Sequence, residues 1–190
     1  MKLIGTKVLE TKRLLLRPFR VSDAENMYKN WASDEEVVKF LTWPPHESAR
    51  ATRALLVLWE EEAKAPGTYQ WCIELKSIGE AIGSIGAVHI FEHINAVEVG
   101  YCIGKNFWSQ GIMTEALTAI RDYFFAEVKV GRLEARHDTK NPGSGKVMEK
   151  CGFIFEGVRR QGGKNNTGIC DLACYGIVRS DWEELITHSC

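Results

Sequence analysis

The segment FWSQGIMTEA (residues 107–116) follows the apolar, β-branched run EVGYCIG and opens what reads as a helix. A strand that empties through a glycine turn into a helix leaves first-turn N–H groups without internal partners, and the helix dipole adds partial positive charge there. An anion such as phosphate fits that start. Gly111 has no Cβ to hold it off, and Gln110 carries an amide donor. The same residues also fit a plain tight turn in which Thr114 or water caps the helix. No Lys-Ser/Thr follows the glycine and no GxGxxG with a downstream acid is present, which sets nucleoside triphosphates and dinucleotides behind. GSIG at 83–86 lies inside a strand and reads as a bulge or a close-packing site.

Other reactive residue types point less clearly. His89 and His93 suggest a metal pair, but on a strand their side chains would stand about 13 Å apart, and no third ligand clusters with them, so no metal is expected. Six cysteines (72, 102, 151, 170, 174 and 190) contain no CxxC pair, and four lie in apolar runs, as reduced structural thiols do. Cys102 and Cys151 have no histidine nearby in sequence to activate them as nucleophiles.

Lys plus Arg (24) nearly cancels Asp plus Glu (25), and no basic run exceeds a pair, which excludes a large cationic face for nucleic acid. The N-terminus breaks its apolar residues with charges, so neither a signal peptide nor a membrane span is expected, and a cytoplasmic location is. With 190 residues and 45% hydrophobic content, the chain suits one domain over 1–190.

The elements that must position the loop follow from pattern. LLLRPF (14–19) is a strand. SDAENMY begins a helix with Ser22 as N-cap and Glu25 completing a capping box. A second helical piece spans about 34–41, and after the proline-stiffened TWPPHES, Ser48 caps a longer helix. YQWCIEL, AIGSIGAVHIF and AVEVGYCIG form an antiparallel meander. The helix after Gly111 lines up Met113, Ala116, Leu117, Ile120 and Phe124 on one face. RLEARH is a fifth strand. NPGSGKVMEKCG is a short helix with Asn141 as N-cap, Pro142 at its first position and Gly152 as its stop. FIFEGVRR and ICDLACYGIV close a hairpin across QGGKNNTG, and a last helix starts at Ser180. The expected class is mixed α/β: a central, mostly antiparallel, splayed sheet of six to seven strands flanked by helices.

EVGYCIGKNFWSQGIMTEAL, followed about 25 residues later by NPGSGKVMEKCGFIFEG, resembles the GNAT acetyltransferases, and specifically the Rim-type ribosomal-protein N-acetyltransferase branch. TKRLLLRPFRVSDAENMY and WPPHES resemble that branch's N-terminal region, so the likeness runs from about residue 9 to 182. It implies acetyl-CoA as co-substrate, its pyrophosphate wrapped by Gln110, Gly111, Ile112, Met113 and Thr114. The pantetheine arm would pair with Tyr101, Cys102 and Ile103 between two splayed strands. Asn141 matches the family's pantetheine-binding asparagine, and Ser144 and Lys146 lie in the segment near the thiol and phosphates. The chain departs from the superfamily's usual loop at Trp108 and at Met113, which puts a larger side chain at the helix start. Gly143 and Gly145 weaken the following helix.

Acetyl transfer needs an acceptor for the proton of an ammonium. Glu98 is the first candidate, acting through water, with Glu92 and His93 behind it. Glu98 fits an ordinary strand acid equally well, because strand parity is open. A backbone N–H near Cys102 or Ile103 would meet the charge building on the carbonyl oxygen. Ser144 or Tyr175 would protonate the leaving thiolate, although Ser144 fits equally a hydroxyl bonded to its own backbone. Trp43, His46 and His137, with Lys164 and Asn166, would face the acceptor. That acceptor is expected to be a protein N-terminal amine; a small-molecule amine and a non-catalytic acyl-CoA sensor are the alternatives. A monomer and a homodimer both fit.

Overall fold

In the computed structural model, which describes residues 1–188, Thr11 folds the N-terminal segment back on itself. Its N–H donates to the Leu14 carbonyl and its hydroxyl oxygen accepts from Leu14 N–H, and β1 (Leu9–Glu10) pairs antiparallel with β2 (Leu14–Arg17). Three helices follow: α1 (Ala24–Met27), α2 (Glu35–Val38) and α3 (Ala49–Glu62). α1 is the centre of a longer helical stretch with a 3-10 turn before it and a π turn after it. Ser22 does not cap this stretch. The cap position is Arg20, whose N–H is taken by the Asp23 carboxylate at 2.8 Å. A charged acceptor already fixed by a neighbouring arginine outcompetes a free hydroxyl. Ser48 does cap α3, accepting from Ala51 N–H at 3.2 Å.

The meander comprises β3 (Gln70–Leu75), β4 (Glu80–Phe91) and β5 (Ala96–Ile103). α4 (Ile112–Tyr123) then crosses over to β6 (Arg132–Asp138), which runs parallel to β5. After α5 (Pro142–Lys150) come the hairpin β7 (Ile154–Asn165) and β8 (Gly168–Val178), and α6 (Arg179–Thr187). The sheet has eight strands in the order β1-β2-β3-β4-β5-β6-β8-β7. The strand beyond the expected seven is β1, whose two residues are too few to carry a period-2 pattern. The hairpin strands also run further than expected, through QGGKN, with register shifts between Phe155 and Gly157 and between Arg159 and Gly163.

β5 and β6 pair only at Ala96↔Arg132, Val97↔Leu133 and Glu98↔Glu134, and then part. A bulge in β4 between Ala87 and His89 bends the partner of β5 at that level. Alternation along β5 divides the core. Val97, Val99 and Ile103 face α4 and pack with Met113, Leu117, Ile120 and Phe124. On the opposite face Cys102 packs against the cluster of Phe19, Met27, Trp31 and Leu56 built by the N-terminal helices. Cys72, Cys102, Cys151, Cys170 and Cys174 are free thiols, while Cys190 lies outside the described residues. Among the described residues no helix is long and apolar enough to cross a membrane, and no group of three or more His, Cys, Asp or Glu is placed to hold a metal.

The N-terminal helices are tied to the sheet by a buried ion cluster. Arg17, 4% exposed, donates twice to Asp23 at 2.8 Å and once to Glu74 at 2.7 Å. Removing one member leaves a buried charge uncompensated. Asp23→Ala is therefore expected to destabilise the fold by about 3–5 kcal/mol in urea unfolding, far more than loss of an exposed ion pair.

Candidate active site

Where β5 and β6 diverge, two cavities open and meet. The first, about 410 Å³, is lined by the end of β5, by Trp108, Ser109 and Gly111 to Thr114 at the start of α4, and by Gly143, Lys146, Val147 and Lys150 of α5. The second, about 610 Å³, lies on the other side of β5 and takes its walls from Trp31, Trp43, His46, Trp59, Glu98, Arg136, His137 and Lys164, among others. Phe40, Leu41, Tyr101, Cys102, Asn141 and Ser144 line both and form the shared wall.

At the first cavity Gly111 is the N-cap of α4, in the left-handed conformation at φ 71°, and provides no side-chain cap. Its carbonyl accepts the first helical bond, from Glu115 N–H at 3.1 Å, which leaves the N–H groups of Ile112, Met113 and Thr114 without partners inside the helix. Met113 does not obstruct them, because its side chain is 6% exposed and belongs to the core. Gln110 is placed otherwise than expected: its amide donates back to Asn106 O at 2.8 Å and it lines neither cavity. Trp108 lines the cleft and donates to Ile103 O at 2.9 Å, fixing the corner between β5 and the loop. The donor set suits a diphosphate: a helix start at a glycine that lets an anion reach the backbone, with the exposed ammonium groups of Lys146 and Lys150 opposite. The unpaired stretch of β5 suits an extended chain bearing amides.

Glu115, in the first turn of α4, accepts from Thr11 Oγ1 at 2.6 Å, Arg13 N–H at 2.8 Å and Arg13 Nε at 2.6 Å. Burial alone would raise its carboxyl, but the bonds from Thr11 and Arg13 outweigh it and hold the group below the usual carboxylate range. Nothing in the sequence pattern singled out Arg13, whose partners are about a hundred residues away.

On the shared wall, Tyr101 Oη donates to Ser144 O at 2.9 Å and Ser144 Oγ donates to Tyr101 Oη at 3.0 Å. Burial raises the Tyr101 hydroxyl, which stays protonated at neutral pH. Asn141 sits at the N-cap of α5, its N–H bonded to Asp138 O at 2.7 Å, with no side-chain cap bond. Burial likewise raises the Cys102 thiol, against a weaker opposing bond with Ser84, so it is a poor nucleophile.

The second cavity contains Glu98, 5% exposed and paired with Arg136 at 2.7 Å. It is not a solvent-facing strand acid. Burial pushes its carboxyl up, and the Arg136 guanidinium and His89 pull it partway back. His46 Nδ1 shares a hydrogen bond with Thr52 Oγ1 at 2.8 Å, which fixes the ring in place. Burial lowers its pKa and keeps the ring neutral. Trp43 packs against His46 with ring centroids 5.4 Å apart. The β7–β8 tip closes over this side: Asn166 donates to Val38 O and Trp43 O at 2.8 Å each. His137 Nδ1 bonds Asp138 O at 2.7 Å, and its buried Nε2 has no partner. Tyr175 lines neither cavity; it stacks on His137 and donates to Glu149 at 3.1 Å. Glu92 and His93 lie in the turn that joins β4 to β5 and also line neither cavity.

The chain matches the family described as Acetyltransferase (GNAT) domain over residues 13–154. It belongs to the GNAT acetyltransferases and is an acetyl-CoA-dependent N-acetyltransferase. It is 27% identical over 176 residues to the uncharacterized N-acetyltransferase p20 of Bacillus licheniformis, covering 93% of this chain and 98% of the relative. The [Ribosomal protein uS5]-alanine N-acetyltransferase of Escherichia coli (strain K12) is 26% identical over 155 residues, 78% of this chain and 79% of the relative. Among solved structures, the microcin C7 self immunity acetyltransferase MccE in complex with acetyl-CoA and AMP superposes with a TM-score of 0.77 at 21% identity, covering 88% of this chain and 93% of the other.

α5 lies close to the sheet because residue 145 is glycine: a Cβ there would stand 2.7 Å from His137 Nε2 and 3.0 Å from Tyr175 Oη. Both rings are pinned, His137 by Asp138 O and Tyr175 by Glu149. Gly145→Ala is expected to cost about 1–3 kcal/mol by overpacking, despite the higher helix propensity of alanine, as urea unfolding would measure.

Proposed function

We propose that the protein transfers an acetyl group from acetyl-CoA directly to a protein N-terminal amine. The observation that carries this reading is the pair of cavities sharing one wall at the β5–β6 fork, which lets a thioester and an amine meet from opposite sides. Bound acetyl-CoA supplies the acyl group as a thioester. Its diphosphate would be held by the amides of Gly111 to Thr114 with Lys146 nearby, and its pantetheine by the free edge of β5 at Tyr101 to Ile103 and by Asn141. Ile103 O is already occupied by Trp108, so pairing there rests on the remaining backbone groups.

Glu98 is the proposed base. A buried carboxylate with a raised pKa is better matched to an ammonium donor than an exposed one, and the Arg136 guanidinium favours its ionised form and orients it. The Tyr101–Ser144 hydroxyl pair is the proposed proton source for the leaving sulfur, because both residues line the shared wall. Tyr175, whose hydroxyl is committed to Glu149, serves His137 instead. Trp43, His46 and His137 face the acceptor, and His137 could accept a hydrogen bond only if Nε2 becomes reachable. The protein-acceptor reading draws on the uS5-alanine relative and on the apolar, aromatic walls of the larger cavity, which suit a peptide end better than a polycation.

Because Glu98 must be ionised to act and its carboxyl is raised, the acid limb of kcat/KM should fall at a pH above the ordinary carboxylate value. Glu98→Gln should lower kcat by about 10²–10⁴-fold and abolish that limb. Thiol release measured across peptide N-termini and small amines tests the acceptor. Turnover of small amines but no peptide would overturn the protein-acceptor reading, and CoA binding without turnover of any amine would favour a sensor.

A further inference from the structure

Arg13 lines neither cavity, yet three of its nitrogen atoms are engaged by the segment that opens α4. Its N–H and Nε hold the Glu115 carboxylate at 2.8 and 2.6 Å, and Nη1 donates to Gln110 O at 2.9 Å. Nη2 lies 3.7 Å from the point a Cβ on Gly111 would occupy. The guanidinium therefore spans Gly111, gripping the residue before it and the helix's first turn after it. The planar guanidinium presents Nε and Nη1 in fixed directions to both acceptors, whereas a lysine would have to reach both from one flexible ammonium.

This contact has two consequences for an anion at the start of α4. Gly111 holds a left-handed conformation that glycine, with no Cβ, leaves easily, so its aim depends on what fixes either side. Glu115 is the one acid in the first turn, and its charge opposes any phosphate brought to the amides of Ile112 to Thr114. Arg13 fixes the turn and cancels that charge. Thr11, from the same β1–β2 connection, adds the remaining bond to the carboxylate.

We infer that Arg13 is a positioning residue for the diphosphate of coenzyme A, acting through Gln110 and Glu115 without touching the reacting atoms. The inference rests on the reading that the start of α4 takes the diphosphate. A mere fold staple would lower stability and weaken every ligand alike, whereas a positioning role confines the loss to ligands that carry the diphosphate.

The experiment is calorimetric titration of the full chain with CoA, for wild type, Arg13→Gln and Arg13→Lys, well below each melting transition. It is paired with turnover of S-acetylpantetheine, which has the thioester and lacks the diphosphate, using the amine acceptor best used by wild type. Arg13→Gln should raise the Kd for CoA by about tenfold or more, the scale of a lost charge-assisted clamp, and leave S-acetylpantetheine kcat/KM within about twofold. Arg13→Lys should fall between, and it carries the test if Arg13→Gln does not fold. CoA affinity within about twofold of wild type, or S-acetylpantetheine turnover falling in step with CoA affinity, overturns the inference. Wild type failing to bind CoA would overturn the diphosphate site itself. Wild-type binding with an unchanged Arg13 variant would overturn only the role of Arg13.

Discussion

Strand β5 is paired with β4 along its whole length but with β6 over only its first three residues, so backbone polar groups face a gap in the middle of a sheet. Such groups are costly to bury without partners. A continuous sheet would have closed that gap and kept the two helical layers on separate, unconnected faces. The fork instead joins them, and its apex is Glu98↔Glu134, the last paired position. Glu98 is thus buried by sheet pairing on one side and reaches a cavity on the other, an environment that raises its carboxyl while Arg136, two residues beyond Glu134 on the same face of β6, keeps it paired.

The short N-terminal strand serves both sides of the fork. At its end Arg17 locks the helices of the larger cavity to the sheet through Asp23 and Glu74. Just before its start Arg13 reaches the α4 loop of the smaller cavity. Each arginine uses its fork to satisfy more than one acceptor in fixed directions, a geometry a flexible point charge does not impose. Four residues of strand therefore set the relation between helices that would otherwise meet the sheet independently.

The strand–turn–helix order around Gly111, the amphipathic face of α4 and the cap-and-stop signals of α5 were legible because each depends on residues close in sequence. The same locality explains what was misread or invisible. Ser22 looked like a cap because its competitor, Asp23, gains its advantage from Arg17, whose place follows from pairing with β3. Where the Gln110 amide points was also not legible: its type suits a ligand donor, and the structure turns it back to Asn106 within the loop. The burial of Glu98 was open until the register of β4 against β5, shifted by the bulge near Val88, set which face it takes. Tyr175 shares a face with His137, and only the approach of α5 at Gly145 shows its hydroxyl going to Glu149 rather than to a cavity.

The loop's departure from the usual family pattern at Met113, and the direction of the Gln110 amide, become intelligible once side chains and backbone are separated. Met113 sends its bulk into the core and Gln110 sends its amide along the loop, so neither occupies the space over the helix start. What remains there is backbone, whose direction is set by the left-handed turn at Gly111 and by the two contacts of Arg13 on either side of it. A site made of N–H groups tolerates substitution at the positions that supply them as long as the turn is held, because every residue except proline carries the same donor. An anion held at this loop would thus depend less on the side chains near it than on the glycine that shapes the turn and the distant arginine that bonds either side of it.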